Sequence, residues 1–442
     1  MGRVVYDLTE LFAASTGKFP YYGIARVVEE IACELYRLDP DLRFCIFSYA
    51  HDRFLEIHPN IDSKTGAVQL NVPSGIKLIH HLRHRFYDHN RPRHMMMPLA
   101  HKVIRWINRK NWTKAGLKLD EIDMEGKTIV SMGRPKHMVA ALDVLDRENK
   151  SYNFVPLLHD MFPLHEFSPT NPKQFPKNFV GDNRHVIQHA SKIIANSEYT
   201  KSEIENFSRQ GLLPSLPDIV TVPLVHECRP GTEPAEIEIP QSPYILTVGA
   251  TIGRKNLEVV FDAMLILKER GDFIPRFVMA GAYRKRSEAY LQQKRYDAIR
   301  PYVDTVLNPN QTDLVRLYKN ALAFVMPSRL EGWGLPAGEA LWNGTPTICS
   351  TAPVFHEVCG QLGLYFNPNK PDELAKIITD LHDDPGFASV VRSKISAASV
   401  RLRTWADVAQ DVKGVYEDVA ASSPPSSRER QAVLSISDPQ EE

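Results

Sequence analysis

The chain has 442 residues, in which 53 lysines and arginines balance 53 aspartates and glutamates. That length exceeds one ordinary core, so two domains of about 200 residues each are expected, and the even charge singles out no class of partner. Five scattered cysteines without CxxC spacing fit no disulfide framework, and no run of about 18 apolar residues occurs, which predicts a cytoplasmic protein with neither signal peptide nor membrane span.

Residues 3–8 read as an opening strand, and 17–23 as a glycine- and aromatic-bearing loop that leads into a helix. In that helix Ile24, Val27, Val28, Ile31, Ala32 and Leu35 form one apolar stripe at helical spacing. Residues 44–49 and 76–80 are further strand candidates. Between His80 and Leu119 the character changes. Arg83, Arg85, Arg91, Arg93, Lys102, Arg105, Arg109, Lys110, Lys114 and Lys118 face a single acid, Asp88, with Trp106 and Trp112 interleaved. No nucleic-acid motif accompanies this patch. An anionic membrane surface fits it better, because Lys and Arg are drawn to acidic lipids and Trp settles at the interface; a solvated insertion is the alternative.

Residues 154–158 form an apolar run read as a strand, although Pro156 removes a ladder donor. The run ends in His159-Asp160, which places His159 at the carboxyl end of a strand, where α/β proteins hold chemistry. After a helix to Ala190, residues 191–200 read as a strand meeting an N-cap. The second domain is expected to start near Ile219. There 244–248 is a strand, followed by the loop Gly253-Arg254-Lys255-Asn256, in which Asn256 is expected to cap the next helix. Strands at 276–280 and 303–307 follow, the latter ending in Asn308-Pro309, then a helix over 314–318.

Residues 321–325 read as a short buried strand that stops at a proline, and a glycine loop follows at once. In Pro327-Ser328-Arg329-Leu330-Glu331-Gly332-Trp333-Gly334-Leu335-Pro336-Ala337-Gly338-Glu339-Ala340, Gly332 and Gly334 allow close approach of a ligand to the backbone, and Pro336 suits the first turn of a helix. Such a helix presents free N–H groups and a positive dipole end to an anion. Beyond it lie a strand at 346–350, a helix from Lys370 through Leu381, a last helix over 405–419, and a Ser- and Pro-rich tail over 421–442 that lacks the apolar surface to fold.

The carboxylates Glu331 and Glu339, with seven residues between them and inside this string of glycines and prolines, resemble the signature of family 4 retaining glycosyltransferases of the GT-B fold. Tyr22-Gly23-Ile24-Ala25-Arg26 is similar to the N-terminal segment of the bacterial polysaccharide and O-antigen mannosyltransferases of that family. The resemblance implies an α/β chain of two facing doubly wound Rossmann-like domains. These are an acceptor-side domain over 1–198 and a nucleotide-sugar domain over 199–404, with 405–420 packing back across the junction.

It also assigns roles. Arg254 and Lys255 match the pair that holds the donor diphosphate; Arg offers a planar fork to phosphate oxygens and Lys a point charge. Glu339 would accept from the ribose diol, Glu331 would hold sugar hydroxyls, and His159 would lie beside the transferred sugar. Gly23, Asn308, Gly332, Trp333, Gly334 and Leu335 complete the expected donor site. The implied reaction is metal-independent transfer of a hexose, mannose from GDP-mannose by the N-terminal resemblance, to a saccharide or lipid-linked oligosaccharide acceptor. No cofactor is expected beyond the nucleotide diphosphate sugar as co-substrate, and no nucleic acid. A GT-B epimerase or hydrolase and a non-catalytic nucleotide-sugar-binding protein are the alternatives.

Overall fold

Strands that are apolar throughout need cover on both faces, and this chain supplies it by alternating them with helices. The computed structural model describes residues 3–15, 23–79, 91–165, 174–231, 233–249, 251–282, 285–426 and 429. The chain divides into two units, one of Met1–Pro223 with Trp405–Glu442 and one of Leu224–Thr404.

The first unit contains β1 (Val4–Asp7), β2 (Arg43–Ser48), β3 (Arg53–Ile57), β4 (Asn60–Ile61), β5 (Val68–Gln69), β6 (Lys127–Ser131), β7 (Tyr152–Leu158), β8 (Ile193–Ala195) and β9 (Ile219–Thr221). Its main sheet runs β3-β2-β1-β6-β7-β8-β9, with β4 and β5 paired separately. Only β3 is antiparallel to its neighbour in that sheet. Order reverses beside β1, where β2 leads away on one side and β6 on the other, so the carboxyl ends of β1 and β6 flank a topological switch point.

The second unit contains β10 (Tyr244–Val248), β11 (Arg276–Gly281), β12 (Val303–Leu307), β13 (Ala323–Met326), β14 (Thr347–Ser350) and β15 (Gly363–Phe366). They form one parallel sheet in the order β12-β11-β10-β13-β14-β15. Here the reversal falls between β10 and β13. The loops that follow those two strands carry Arg254-Lys255 and the carboxylate signature.

Several expectations need correction. The units divide after Pro223 rather than after 198, because β9 pairs with β8 in the first sheet, Ile193 opposite Ile219. Residues 76–79 form no strand, and residue 80 lies outside the described residues. Pro156 is accommodated in β7, with pairing to β8 starting only past it at Leu157. Of the basic segment 80–119, residues 80–90 lie outside the described residues, and the helix Arg91–Lys114 follows. Part of that helix is tied to the first unit rather than exposed. Arg105 pairs with Asp52, and Arg109 Nε donates to the Ala50 carbonyl at 2.9 Å. Trp112 is buried with its ring centroid 5.9 Å from that of Phe12 and 5.3 Å from that of His51.

The helix Trp405–Ala421 closes the first unit by lying on the helix Ile24–Leu38 and on β6 and β7. Tyr416 Oη donates to Asp39 Oδ2 at 2.7 Å, and Asn153 Nδ2 donates to the Val419 carbonyl at 3.2 Å. Trp405 is wholly buried, with the Arg26 guanidinium 5.8 Å from its ring centroid. The expected tail lies outside the described residues at 427–428 and 430–442; within the described part, Ser151 Oγ donates to the Pro425 carbonyl at 3.0 Å. No helix among the described residues is long and apolar enough to cross a membrane.

Because Trp405 fastens the returning helix, Trp405→Ala should leave a large cavity and lower unfolding free energy by about 3–5 kcal/mol. Urea denaturation followed by far-ultraviolet circular dichroism measures this, and a loss under about 1 kcal/mol would mean that the helix is held elsewhere.

Candidate functional site

Two adjacent parallel strands, β10 and β13, deliver the central residues of the second unit. After β10 the chain turns through Gly253 into Arg254, Lys255 and Asn256, and the Arg254 carbonyl accepts the Arg329 backbone N–H at 2.8 Å, stitching this loop to the one after β13. Asn256 does not cap the helix Leu257–Arg270 through its side chain; it sits in the left-handed region at φ 53°. Its Nδ2 donates to the Pro368 carbonyl at 2.9 Å and its Oδ1 accepts from Arg329 Nη2 at 3.0 Å. Asn tolerates that backbone conformation better than most side chains, so the basic pair is presented from a rigid turn.

Glu331 receives both cations. Its Oε1 is 3.1 Å from Arg254 Nη1 and 3.3 Å from Lys255 Nζ, with only 11 % of its side chain exposed. Arg254 also donates to the Leu330 carbonyl. Burial by itself would raise the Glu331 pKa, but Lys255 and Arg254, helped by Ser328, outweigh it and hold the carboxyl below its ordinary value of 4.5. The carboxylate is therefore charged at neutral pH, and the cluster of three carries a net charge of about +1 that a diphosphate can meet.

Glu339 lies in the second turn of the helix Leu335–Trp342 rather than the first, because that helix begins at Leu335. It is 3 % exposed, and its Oε2 accepts from Tyr318 Oη at 2.9 Å. Tyr318 comes from the preceding helix, Gln311–Asn320, and its carbonyl accepts from Thr345 Oγ1 at 2.7 Å. In the sequence a Tyr at that position reads as core.

Gly334 is needed for packing as much as for ligand approach. Its φ is 94°, and a Cβ there would come within 2.8 Å of Phe355 Cε1. Gly332 and Leu335 flank it in the same turn. Trp333 is buried, donating Nε1–H to the Val225 carbonyl at 3.2 Å, so it holds the loop and its indole is not offered to a donor. Beside it, His226 Nε2 donates to the Val358 carbonyl at 2.8 Å, while His226 Nδ1 accepts from the Arg403 backbone N–H at 3.1 Å. Gly338 permits this contact, since its Cβ would sit 3.1 Å from the Val225 carbonyl oxygen. At the sheet edge Asn308, with φ 48°, donates its backbone N–H to the Gly281 carbonyl at 2.9 Å, just past β12.

In the first unit His159 follows β7 directly. Its Nε2 is 2.7 Å from the Met132 carbonyl, which can only accept, so Nε2 carries the hydrogen and Nδ1 the lone pair. Burial lowers its pKa from 6.5 against the upward pull of that bond, leaving a neutral imidazole at pH 7. Asn196 Nδ2 fixes its backbone through a 2.8 Å bond to the carbonyl. Nearby, the sheathed Glu10 accepts from Arg134 backbone N and Nε, each at 2.9 Å, and Asp7 Oδ2 accepts from Ser131 Oγ at 2.7 Å. These acids lie in ordinary strand and helix contexts, with no motif around them to mark them in the sequence. Gly23 precedes the helix Ile24–Leu38 with φ 50° and open space where a Cβ would be. No group of three or more potential metal ligands occurs among the described residues.

Residues 232–398 match the family described as glycosyl transferases group 1. The O-antigen chain mannosyltransferase B of Escherichia coli is 29 % identical over 248 residues, 52 % of this chain and 61 % of that relative. The O-antigen chain mannosyltransferase RfbU of Salmonella typhimurium is 32 % identical over 147 residues, 33 % of this chain and 40 % of that one. The chain thus spans less than two thirds of the length of these curated relatives. Among solved structures, sucrose-phosphate synthase from Thermosynechococcus elongatus superposes with a TM-score of 0.63 at 17 % identity, covering 96 % of this chain and all of the other. Anabaena HepE in complex with UDP and glucose gives 0.61 at 14 % identity over 95 % of this chain and all of the other. The fold is that of the GT-B glycosyltransferases, and the chain is similar to family 4 glycosyltransferases and, within them, to bacterial O-antigen mannosyltransferases.

Two outcomes follow from the geometry. Gly334→Ala forces both an unfavourable φ and an overlap with Phe355, so it should destabilise the second unit by at least about 1–2 kcal/mol in thermal or urea unfolding. Glu331, with its folded pKa depressed, contributes stability above its ordinary 4.5 that disappears as pH falls through the folded value. The stability gap between wild type and Glu331→Gln should accordingly be widest near pH 6–7 and close in acid; a gap that is flat down to pH 3 would show that Glu331 is not held as a carboxylate by the two cations.

Proposed function

We propose that the protein is a retaining, metal-independent glycosyltransferase that moves a hexose, mannose from GDP-mannose, to a saccharide or lipid-linked oligosaccharide acceptor in surface polysaccharide synthesis. The observation that carries this reading is the convergence of Arg254, Lys255 and Glu331 at the switch point of the second sheet. Glu339 stands on the following helix. The likeness to two O-antigen mannosyltransferases supports the sugar.

In this reading the diphosphate docks on Arg254 Nη1 and Lys255 Nζ and the two cations share themselves between it and Glu331. Glu339 Oε1 accepts from the ribose hydroxyls while Tyr318 keeps Oε2 fixed. The acceptor oxygen forms its bond to the anomeric carbon on the face from which the diphosphate departs. The bond from that carbon to the phosphate oxygen breaks, and the acceptor proton passes to a phosphate oxygen. Negative charge grows on the diphosphate in the transition state, so preorganised cations contribute most at that moment. By the same resemblance we assign Gly23 to the diphosphate and His159, through Nδ1, to the transferred sugar. The remaining donor contacts fall to Asn308 and to the backbone of Gly332, Gly334 and Leu335. The reaction would take place in the cytoplasm, where nucleotide sugars are the substrates at hand.

Glu339→Ala should weaken binding of the nucleotide, GDP, by roughly ten- to hundredfold, the loss typical of a charged hydrogen-bond partner. Isothermal calorimetry reads it, and unchanged affinity would remove Glu339 from the donor site. Arg254→Ala and Lys255→Ala should lower kcat more than they raise KM. With GDP-mannose and a lipid-linked acceptor, turnover should persist in excess EDTA. Release of free sugar at the same rate with and without acceptor would favour the hydrolase reading instead.

A further inference from the structure

The helix Arg91–Lys114 has two apolar faces, and only one of them is spent on the fold. Met97, Ile104 and Trp112 are buried against the first unit, and Asn108 is buried with them, its Oδ1 and Nδ2 bonded to the Ile79 backbone at 2.9 and 2.8 Å. On the opposite side Met96, Leu99, Val103 and Trp106 recur at i, i+3, i+7 and i+10 and are 66, 65, 50 and 64 % exposed. A stripe at that spacing is continuous along a helix. Single exposed hydrophobes need no explanation, but four in register do.

The charge along the helix decides what fits it. Residues 91–114 contain seven lysines and arginines and no aspartate or glutamate, in a chain whose total charge is balanced. Arg105 and Arg109 are used internally. Lys102, Lys110 and Lys114 remain exposed; Lys110 and Lys114 continue the stripe toward the end of the helix, and the Lys110 ammonium lies 5.7 Å from the Trp106 ring centroid. A second copy of the chain laid on this face would bring lysines against lysines. An anionic lipid surface instead meets the ammonium groups with phosphates while the stripe enters the acyl boundary and Trp106 sits at the headgroup level.

We propose that the outer face of the helix Arg91–Lys114, centred on Leu99 and Trp106 and flanked by Lys102 and Lys110, docks the protein on an anionic membrane surface. This site shares no residue with the proposed donor site, so it holds whichever sugar is transferred. It also separates the aromatic pair of the segment: Trp106 is the membrane residue, and Trp112 is core.

The full-length protein is sedimented with vesicles of phosphatidylglycerol and phosphatidylcholine, and with vesicles of phosphatidylcholine alone, at low and high salt. It should pellet only with the anionic vesicles and be released by salt, since each lysine at such a surface contributes roughly fivefold in affinity that screening removes. Leu99→Ser with Trp106→Ser, and separately Lys102→Glu with Lys110→Glu, should each lower vesicle binding at least about tenfold. All four side chains are exposed, so folding and calorimetric GDP affinity should be unchanged; loss of GDP affinity in the wild type would speak against the donor reading and not against this one. Equal recovery in the supernatant under all conditions overturns the proposal. So does undiminished pelleting of both double variants, which would place the docking surface elsewhere. A wild-type dimer that Leu99→Ser with Trp106→Ser dissociates, without vesicle binding, would identify a second copy as the occupant.

Discussion

Glu331 carries a negative charge into a place where about a tenth of its side chain meets water, and it is met there by two cations from the neighbouring loop. Burying a charge is tolerable only with partners in place, and removing one partner from such a group typically costs about 3–5 kcal/mol. The geometry of the loops after β10 and β13 is thus constrained from three sides. Sheet pairing sets the strands next to each other, Arg329 and Asn256 bind the loops backbone to side chain, and the ion cluster fixes the ends of the side chains. In the proposed reaction a diphosphate would meet cations already partly desolvated and oriented. Little reorganisation remains to be done when charge develops.

The same rigidity extends to the residues packed around the cluster. Trp333 clamps the signature loop to Val225, His226 ties the same segment to Val358 and Arg403, and Gly338 leaves room for that segment to approach. Phe355 fills the space that a side chain at Gly334 would take. In a signature dense with glycine, two of the small residues are there because other atoms of the protein occupy the room. Ligand approach accounts for less of the glycine content than spacing alone suggests.

How far the molecule could be read in advance depends on the range of the interaction concerned. Strand-and-helix alternation is local, and Ile24 to Leu38, Ser197 as an N-cap and the strands flanking Arg254 and Glu331 all stand where periodicity and caps put them. The strands β3, β6 and β15 escaped notice because short mixed runs such as Lys127–Ser131 acquire their burial only from neighbours distant in the chain. Asn256 looks like a cap in sequence and is a left-handed turn in space, since its side chain finds the Pro368 carbonyl more than a hundred residues away. The basic segment shows the same limit. Composition marks it as charged and aromatic throughout, yet Arg105, Arg109 and Trp112 turn inward to Asp52, Ala50 and Phe12, and tertiary partners alone decide which side chains stay outside. Tyr318, too, becomes a supporting residue only once the helix carrying Glu339 is laid beside it.

The return of the helix Trp405–Ala421 to the first unit bears on the order of assembly. A ribosome releases β1 to β9 early, yet the surface of the helix Ile24–Leu38 that receives Trp405 and Tyr416 stays uncovered until some 180 further residues have been made. The second unit is one unbroken segment of chain, Leu224–Thr404, and can close as soon as it emerges. Vectorial synthesis therefore favours completion of the inserted unit before the unit that encloses it in sequence. The bonds from Asn153 to Val419 and from Tyr416 to Asp39 bridge 266 and 377 residues, and their closure entropy is met last. A chain stalled or cut before Trp405 would present an apolar helix face at the moment it is least able to cover it.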